Sequence, residues 1–422
     1  MYLSIEHYRL ELGGGVGITV IADPKFKSNM INVRLLTEYC RDNAAALALI
    51  PQMLSQTSAA YPDSAMMSRR LNALYGAWMG GYSRQRGGIY EISIAVSCLR
   101  DRFALDGEKV FEEAAKLLLG CIFDPAVEDG GFAKTEFNTR KINLLTSIDG
   151  EINDKASYAM TRAFEIAYRG EKSAERYFGS REEVEAVTPE RAYKVYRELL
   201  KTARIEISFC GGGEYNEALA LFTDAFKTER TDWTSPVYYY PSPCKPEPEY
   251  AELCMDVQQA NLIMVFKAES ADPCTMTVLS SLYGETPFSK LFMNVREKMS
   301  LCYYCSSSYM DTKGSLTVIS GVAPENIDVA KKEILRQLEL LADGDFTDDE
   351  LSDTKLALAN EYRSIYDKTG RLGDWYFAQM MKGSADSPDD KMARLQKVTR
   401  EEIIDAAKSV KLDTVFVLKN RD

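Results

Sequence analysis

The sequence predicts an α+β protein of two homologous domains, each with a mainly antiparallel sheet and helices on one face. Two observations predict this class. Short runs of alternating apolar residues are joined by glycine-rich turns, which is typical of hairpins, and runs with helical periodicity separate them. The same order of elements then recurs, displaced by roughly 210–230 residues, which indicates an internal duplication of a domain of about 200 residues.

The duplication sets the expected domain boundaries. Residues 1–228 form the N-terminal domain and residues 252–422 the C-terminal domain. Residues 229–251 are rich in proline and tyrosine and lack periodicity, so they are interpreted as a linker. Two domains joined in this way are expected to face each other across a cleft.

In the N-terminal domain, hydrophobic periodicity predicts each element in turn. In chain order these are strands in 3–22 and 29–38, a helix in 43–60, a helix in 64–74, a hairpin around 86–88, helices in 107–119, 133–168 and 188–201, a strand in 204–210 and a helix to about 226. Pro51 is expected to kink or break the helix that contains it. The glycine clusters 13–17 and 211–213 lack the spacing of a phosphate-binding loop and are interpreted as turns.

The C-terminal domain repeats this order. Strand 261–266, helix 272–283 and the hairpin around Gly314 correspond to earlier elements, and Thr399 caps a late helix as Thr188 caps an earlier one.

The stretch 288–309 carries the most specific pattern. Its first part is expected to be a helix with one buried apolar stripe and Arg296 at the border of the stripe. The stripe consists of Phe288, Leu291, Phe292, Val295 and Met299. Residues 301–309 are then expected to form a strand. Tyr303, Cys305, Ser307 and Tyr309 would share one face of that strand.

Composition narrows the function classes. The 422 residues carry a formal net charge of −12, which argues against nucleic-acid binding. No apolar run of membrane-spanning length and no leader-like start occurs, so a cytoplasmic location is expected. The only histidine is His7, which excludes a paired-histidine zinc site. His7 is expected to pack in the first strand or to lie on the surface. No metal or other cofactor is expected.

The segment FSKLFMNVREKMSLCYYCSSSY, residues 288–309, together with the duplicated order, resembles the pitrilysin-type, mitochondrial-processing-peptidase-like zinc metallopeptidases. The resemblance extends over essentially the whole chain. It implies the fold of that family, with two such domains usually assembled with a second pair into a chamber that engages extended peptides. Among bacterial members the chain is similar to the YfmF-type proteins, which occur beside a zinc-bearing relative and are associated with modification of translation elongation factor P.

The zinc motif of the family is missing. Active members carry HxxEH on a helix of the first domain and a further glutamate ligand on a later helix. The resemblance places Ala48 and Gln52 at the two histidine positions, Pro51 at the glutamate base, and Thr146 or Ser147 near the later ligand. Alanine and proline have no side-chain donor for zinc, so no independent peptidase activity is expected.

The second-domain pair of the family, Arg296 and Tyr303, is present. In the family this pair reaches the zinc centre and holds the substrate. The resemblance therefore implies a non-catalytic subunit that dimerises with a zinc-bearing relative, or with itself, and binds an extended peptide in the cleft between its domains. A purely structural role stays open, with Arg296 as a border residue of its helix and Tyr303 as a half-buried strand tyrosine.

Two other hypotheses stay open. One is a peptide- or protein-binding scaffold that has no role in proteolysis and is linked to elongation factor P modification. The other is an independent hydrolase, for which the sequence offers no supporting constellation. Cys302 and Cys305 form a CxxC pattern, but regular strand alternation would point their thiols to opposite faces, so buried structural cysteines are expected.

Overall fold

The computed structural model describes residues 5–227, 230–238, 241–268 and 271–421. Part of the predicted linker, at 229 and 239–240, lies outside these residues. The strands are β1 (Glu6–Gly13), β2 (Val16–Ala22), β3 (Ser28–Glu38), β4 (Trp78–Arg86), β5 (Ile89–Leu99), β6 (Val127–Glu128), β7 (Gly131–Phe132), β8 (Arg204–Gly211), β9 (Glu249–Cys254), β10 (Ala260–Lys267), β11 (Cys302–Met310), β12 (Ser315–Val322) and β13 (Lys411–Lys419).

The α-helices are α1 (Arg41–Gln56), α2 (Ser64–Ala73), α3 (Val110–Phe123), α4 (Lys134–Gly150), α5 (Lys155–Ala167), α6 (Arg181–Ala186), α7 (Pro189–Thr202), α8 (Asn216–Phe226), α9 (Pro273–Ser280), α10 (Ile327–Ala342), α11 (Asp348–Ser364), α12 (Thr369–Met381), α13 (Pro388–Lys397) and α14 (Arg400–Ser409). Two π-helical segments, π1 (Ser281–Glu285) and π2 (Leu291–Lys298), follow α9. Single 3₁₀ turns lie at Asp101–Phe103, Leu105–Gly107, Glu151–Asn153, Lys172–Ala174, Pro324–Asn326 and Ile365–Asp367. Within the described ranges, no helix has the length and apolar character that crossing a membrane requires.

The chain folds into two units, and neither is continuous in sequence. Unit 1 comprises the described parts of Met1–Ile148, Glu175–Tyr238 and Tyr366–Ala385. Its six-stranded sheet has the order β1-β2-β8-β3-β5-β4, in which only the neighbours β2 and β8 are parallel. The edge strands of this sheet are therefore β1 and β4.

Strand alternation gives the sheet of unit 1 two different faces. Ile31, Val33 and Leu35 of β3 point to the first face and join the main core, to which α1, α3, α7 and α8 contribute. Asn32 and Arg34 point to the second face, which α12 covers. The unit thus has an apolar core on one side of the sheet and a polar layer on the other.

A buried ion cluster connects this polar layer to α12. The Arg34 side chain is only 2% exposed, donates to Asp374 of α12 at 2.6 Å, and lies 3.4 Å from Glu91. Arg84 and Arg86 of β4 also donate to Glu91. Burial alone would raise the pKa of Glu91, but the Arg84 hydrogen bonds and the surrounding arginine charges lower it overall. Glu91 is therefore a buried carboxylate that three guanidinium groups keep ionised.

Unit 2 comprises the described parts of Asp149–Ala174, Tyr239–Ile365 and Asp386–Asp422. Its five-stranded sheet has the order β11-β12-β10-β13-β9, with β13 and β9 parallel and the other neighbours antiparallel. The core on its first face includes residues of α9, α10 and α14. The edge strands of this sheet are β11 and β9.

The second face of this sheet is covered by α5. Ala159, Ala163 and Ala167 recur every fourth residue, and their small side chains let the helix pack on Ile263 and Val265 of β10. Lys267, at the end of β10, donates to the carbonyl of Ala167 at 2.9 Å. This cation lies at the carboxyl end of the helix, where the last carbonyls lack helical partners.

The predicted fold class is confirmed, with differences in detail. Thr188 and Thr399 cap α7 and α14 as predicted. Helices lie on both faces of each sheet rather than one, because α12 and α5 cover the second faces. The domain boundaries at 228 and 252 stay a prediction about the duplicated halves; the two units differ from those halves by segments 149–174 and 366–385.

The single helix predicted at 133–168 is wrong. The chain forms α4 and α5 with an interruption between them, because Asp154 adopts an extended conformation and its side chain accepts from the backbone N–H of Ser157. Aspartate favours this capping role over a position inside a helix.

Candidate functional site

The first candidate region is α1, which carries the position aligned with the missing glutamate base. Of the kink or break expected at Pro51, the break does not occur, since α1 continues from Arg41 to Gln56 with Pro51 inside it. Proline has no N–H, so the carbonyl of Leu47, four residues earlier, loses its helical partner. The hydroxyl of Ser83 on β4 donates to this carbonyl at 2.9 Å. A neighbouring strand thus supplies the hydrogen bond that the proline removes.

The positions aligned with the zinc ligands contact the same strand. Gln52 donates from Nε2 to the carbonyl of Gly81 at 2.8 Å, and Ala48 is buried in the core. Gly81 has to be glycine here, because a Cβ atom would lie 2.6 Å from the carbonyl oxygen of Pro51. Through these contacts the backbones of α1 and β4 lie close together.

The residues present do not fit a zinc ion. Ala48 and Pro51 have no donor atom, and the amide of Gln52 is engaged with Gly81. At the position of the later ligand, the Thr146 hydroxyl donates to the carbonyl of Ile142 within α4, and Ser147 is exposed. Across the described ranges, no group of three or more His, Cys, Asp or Glu residues could hold a metal ion.

The second candidate region begins with π2, which carries Arg296. The expected apolar stripe is only partly correct, because Leu291 and Val295 are fully buried whereas Phe288 and Met299 are exposed. Phe288 lies in the turn before π2. At the other end, the hydrogen bonding runs from the N–H of Met299 to the carbonyl of Asn294, five residues earlier. Such a helix turns through less than 100° per residue, so residues at α-helical spacing diverge.

Arg296 itself lies at the border of the buried side, as predicted. Its side chain is 38% exposed, stacks on the ring of Phe292 at 4.5 Å, and lies 3.6 Å from the carboxylate of its neighbour Glu297. Within the part of the chain that the structure describes, its guanidinium donates no hydrogen bond. Most of its donors are therefore available to another molecule.

Tyr303 lies at a bulge in the edge strand β11. Cys302 is opposite Val322 and Tyr304 is opposite Gly321, so Tyr303 is an extra residue without a partner on β12. Its side chain is 73% exposed, and its hydroxyl has no hydrogen-bond partner among the described residues. The expectation of a half-buried strand tyrosine is therefore wrong.

The next residue, Tyr304, has the structural role instead. Its ring lies over Gly321, where a Cβ atom would come within 2.5 Å of it, and its hydroxyl donates to Asn261 at 2.8 Å. The two adjacent tyrosines thus differ in the way expected of a ligand-facing residue and a packing residue.

The bulge also changes the position of the cysteines. An extra residue between Cys302 and Tyr304 reverses the alternation, so Cys302 and Cys305 point to the same face. Both pack against the core on the first face of the unit 2 sheet, Cys305 buried and Cys302 half-buried. The expectation that the thiols point to opposite faces is wrong for this reason, as is the expectation that Tyr303 shares a face with Cys305.

The chain resembles known proteins over nearly its whole length. The sequence model described as "Peptidase M16 inactive domain" matches residues 186–358. The "Probable inactive metalloprotease YmfF" of Bacillus subtilis (strain 168) is 26% identical over 414 residues, which cover 97% of each chain. The chain is thus similar to proteins described as inactive members of the M16, pitrilysin-type peptidase family. The matching relative is named YmfF rather than YfmF.

Solved structures share the fold of this chain. A conserved protein from Enterococcus faecalis V583 has a TM-score of 0.90 and 26% identity, with 98% of this chain and 99% of that chain covered. The "peptidase M16 inactive domain" from Pseudomonas fluorescens has a TM-score of 0.79 and 17% identity, with 100% of this chain and 99% of that chain covered. The second likeness concerns the fold alone.

The M16 resemblance identified the aligned positions but not their contacts. Ser83 and Gly81, which accompany Pro51 and Gln52, were not recognised from the sequence. A proline inside a helix signals that some donor must reach the carbonyl four residues earlier. Nothing in the sequence says which strand provides it.

Proposed function

We propose that the chain is a non-catalytic M16 subunit that pairs with a zinc-bearing relative and holds an extended peptide through Arg296 and Tyr303. The observation that carries the proposal is the exposure of Tyr303, 73%, at a bulge that leaves it without a strand partner. A tyrosine kept for packing would be buried and hydrogen-bonded, as its neighbour Tyr304 is.

The chemistry of the pair supports a peptide ligand. A guanidinium group and a phenolic hydroxyl both donate hydrogen bonds, and peptide carbonyls and carboxylates accept them. The pair lies on π2 and the edge strand β11, which contact each other. β11 is an edge strand of its sheet, and an extended peptide pairs with such an edge as an added strand.

The zinc ion in this proposal comes from the partner, because Ala48, Pro51 and Gln52 do not fit one. The zinc-bearing partner and a link to elongation factor P rest on the resemblance alone.

The test is a peptidase assay with the HxxEH-bearing relative from the same organism, alone and mixed with this chain. We expect activity that requires the mixture and chelatable zinc. Replacing the pair, Arg296→Ala with Tyr303→Ala, is expected to lower kcat/KM by about tenfold or more, as loss of positioned donors does. The matched control is Arg336→Ala with Tyr250→Ala, which removes another exposed arginine and tyrosine from unit 2.

Turnover that the paired variant supports as well as the parent chain would exclude the proposed role of Arg296 and Tyr303. Peptide binding that survives chelators, with no activity in any mixture, would instead establish the scaffold hypothesis. Zinc bound stoichiometrically to the isolated chain would contradict the assignment of Ala48, Pro51 and Gln52.

A further inference from the structure

A cavity of about 80 Å³ lies on the second face of the unit 1 sheet, beside the amino end of α12. Asn32, Arg34 and Ser208 line it from the strands, and Thr369 and Gly370 line it from the helix. All five residues belong to unit 1. One water molecule needs about 10–15 Å³ of such space, so the cavity has room for a polar group of several atoms.

Two side chains in this cavity have hydrogen-bond donors that the protein does not use. Asn32 is 5% exposed; its oxygen accepts from Ser93 of β5 at 2.7 Å, and its amide nitrogen donates to none of the described residues. The Ser208 oxygen accepts from Arg34 at 3.2 Å, which leaves the hydroxyl proton of Ser208 without an acceptor in the same described ranges. Buried polar groups in folded proteins almost always have hydrogen-bond partners. The two side chains therefore favour a ligand that accepts hydrogen bonds.

The amino end of α12 adds backbone donors to the cavity. Its N-cap residue, Lys368, provides no side-chain cap. The hydrogen bonds of the helix begin with the N–H of Leu372, which donates to the carbonyl of Lys368, so the N–H groups of Thr369 and Gly370 lack a helical partner. No other acceptor for these two groups lies within the described part of the chain. The positive end of the helix dipole is at the same place, where anions bind favourably.

The charges around the cavity also favour an anion. Arg34, Arg84 and Arg86 surround Glu91, and Asp374 is the second carboxylate of this cluster. Three cations thus accompany two carboxylates, which leaves one positive charge. Asp374 lines the cavity and would repel an anion, but Arg34 contacts its carboxylate at 2.6 Å and Arg84 lies 3.9 Å from it. An anionic acceptor therefore fits the cavity better than a cation.

We propose that this cavity binds a carboxylate group, and that the ligand is a peptide whose carboxyl end enters it. A carboxylate accepts up to about four hydrogen bonds through its two oxygens. The available donors are the amide of Asn32, the hydroxyl of Ser208 and the N–H groups that begin α12. Capture of a terminal carboxylate by backbone N–H groups is an established mode of peptide recognition.

Trp78 of β4 supplies an apolar surface next to the carboxylate. This side chain lines the cavity and is 54% exposed. Its ring lies over Gly80, where a Cβ atom would come within 2.5 Å of it. An indole at this place favours an apolar side chain on the last residue of the peptide. The peptide as ligand rests on the proposed function, whereas the binding of a carboxylate does not.

The test is isothermal titration calorimetry of the full chain with two acetylated tripeptides. Both have the sequence Ala-Ala-Leu; one ends in a free carboxylate and the other in an amide. We expect the carboxylate peptide to bind about tenfold more tightly or better, because charge-assisted hydrogen bonds form only with it. Equal affinities, or no binding of either peptide, would overturn the proposal.

Inorganic phosphate and acetate are compared as competitors of the carboxylate peptide. Acetate is expected to displace the peptide at a lower concentration than phosphate does, because the planar carboxylate is the group assigned to the cavity. Phosphate that competes as well as acetate, or better, would contradict a carboxylate site.

One variant removes a backbone donor and keeps the helix. Thr369→Pro changes the first helical residue, where proline is favoured, and Lys368 before it already has the extended conformation that proline requires. The matched control, Thr369→Ala, loses the side chain and keeps the N–H. We expect Thr369→Pro to weaken binding of the carboxylate peptide by about tenfold and Thr369→Ala to leave it unchanged. Equal affinities of the two variants would count against the site.

A second variant removes the amide donors. Asn32→Asp keeps an oxygen that accepts from Ser93 and replaces the NH₂ group by another oxygen, so the preference for the carboxylate peptide should disappear. Asn72→Asp, at an exposed position of α2, is the control and should retain the preference. A preference that survives in Asn32→Asp would exclude the assigned donors. If Asn32→Asp does not fold, Thr369→Pro and its control still decide.

This inference and the proposed function fail separately, because the binding is measured on the isolated chain. If the chain supports the turnover of the zinc-bearing relative but shows no preference for the carboxylate peptide, the carboxylate site is excluded and the proposed function stands. If the preference is present and no mixture has activity, the proposed function is excluded and the carboxylate site stands.

Discussion

At the scale of single residues, Pro51 and Ser83 behave as one unit. Removing the hydroxyl, Ser83→Ala, should destabilise the protein by about 1 kcal/mol, because the buried carbonyl of Leu47 would lose its donor. In a Pro51→Ala background the restored N–H bonds that carbonyl, so the same change should cost less. Urea unfolding of the four proteins measures the difference. Equal costs in both backgrounds would show that the two residues are independent.

His7 gives a pH dependence that a single substitution can isolate. Its ring stacks on Tyr376 of α12 at a centroid distance of 4.0 Å, and burial lowers its pKa from 6.5. The unfolded chain therefore binds a proton at a higher pH than the folded chain, so stability falls as pH falls through the unfolded value. Above about pH 7.5, His7 is neutral in both states and contributes no pH dependence.

The measurement compares the parent chain with His7→Phe. Between pH 7.5 and 5.5 the parent should lose more unfolding free energy than the variant, and all other titrating groups cancel in the comparison. Since His7 is the only histidine, no second imidazole complicates the result. Parallel pH profiles would mean that the stacked ring takes up its proton freely in the folded protein.

At the scale of elements, α12 depends on the ion cluster beneath it. Glu91→Gln leaves three guanidinium groups around a neutral amide and should cost about 3–5 kcal/mol, as expected when one partner of a buried ion network is removed. The midpoint of thermal unfolding is measured for the Glu91→Gln variant and for the parent chain. Lys116→Ala, which removes exposed ion pairs on α3, is the control and should leave the midpoint nearly unchanged. A similar midpoint for both variants would mean that the cluster contributes little.

Sequence reasoning succeeded where local patterns determine the element. The hairpin β4–β5, the threonine caps and most helices follow from periodicity and turn residues. Sequence reasoning failed where a contact between residues far apart in the chain determines the local conformation. α1 continues through Pro51 because Ser83 is nearby, and π2 winds differently from the α-helix that its spacing suggests. The bulge at Tyr303 depends on the pairing with β12, which the residues of β11 alone do not determine.

At the scale of the whole molecule, each unit contains a helix from the other half of the chain. A fragment of residues 1–238 has every strand of the unit 1 sheet but lacks α12, so its buried charges would face water and its second face would lie open. We expect this fragment to unfold at lower urea than the full chain, or to aggregate. Joining residues 366–385 to it through a flexible linker should restore cooperative unfolding. A fragment as stable without this segment would contradict the role given to α12.

For the candidate site too, the sequence indicated the features that single residues carry and missed those that depend on strand pairing. The pattern around Arg296 and the residues proposed at the zinc-ligand positions were visible in the sequence, because single residue types carry them. The exposure of Tyr303 and the pairing of Cys302 with Cys305 were not, because both result from one extra residue in a strand pair.

The segment exchange has a consequence for synthesis on the ribosome. When residue 238 has been joined to the growing chain, all six strands of the first sheet exist, but α12 has not been translated. At about 5–20 residues per second, on the order of ten seconds pass before that helix emerges. During this interval the nascent protein presents Arg34 and Glu91 to the solvent, and a chaperone or the ribosome surface meets a half-finished sheet with a charged face.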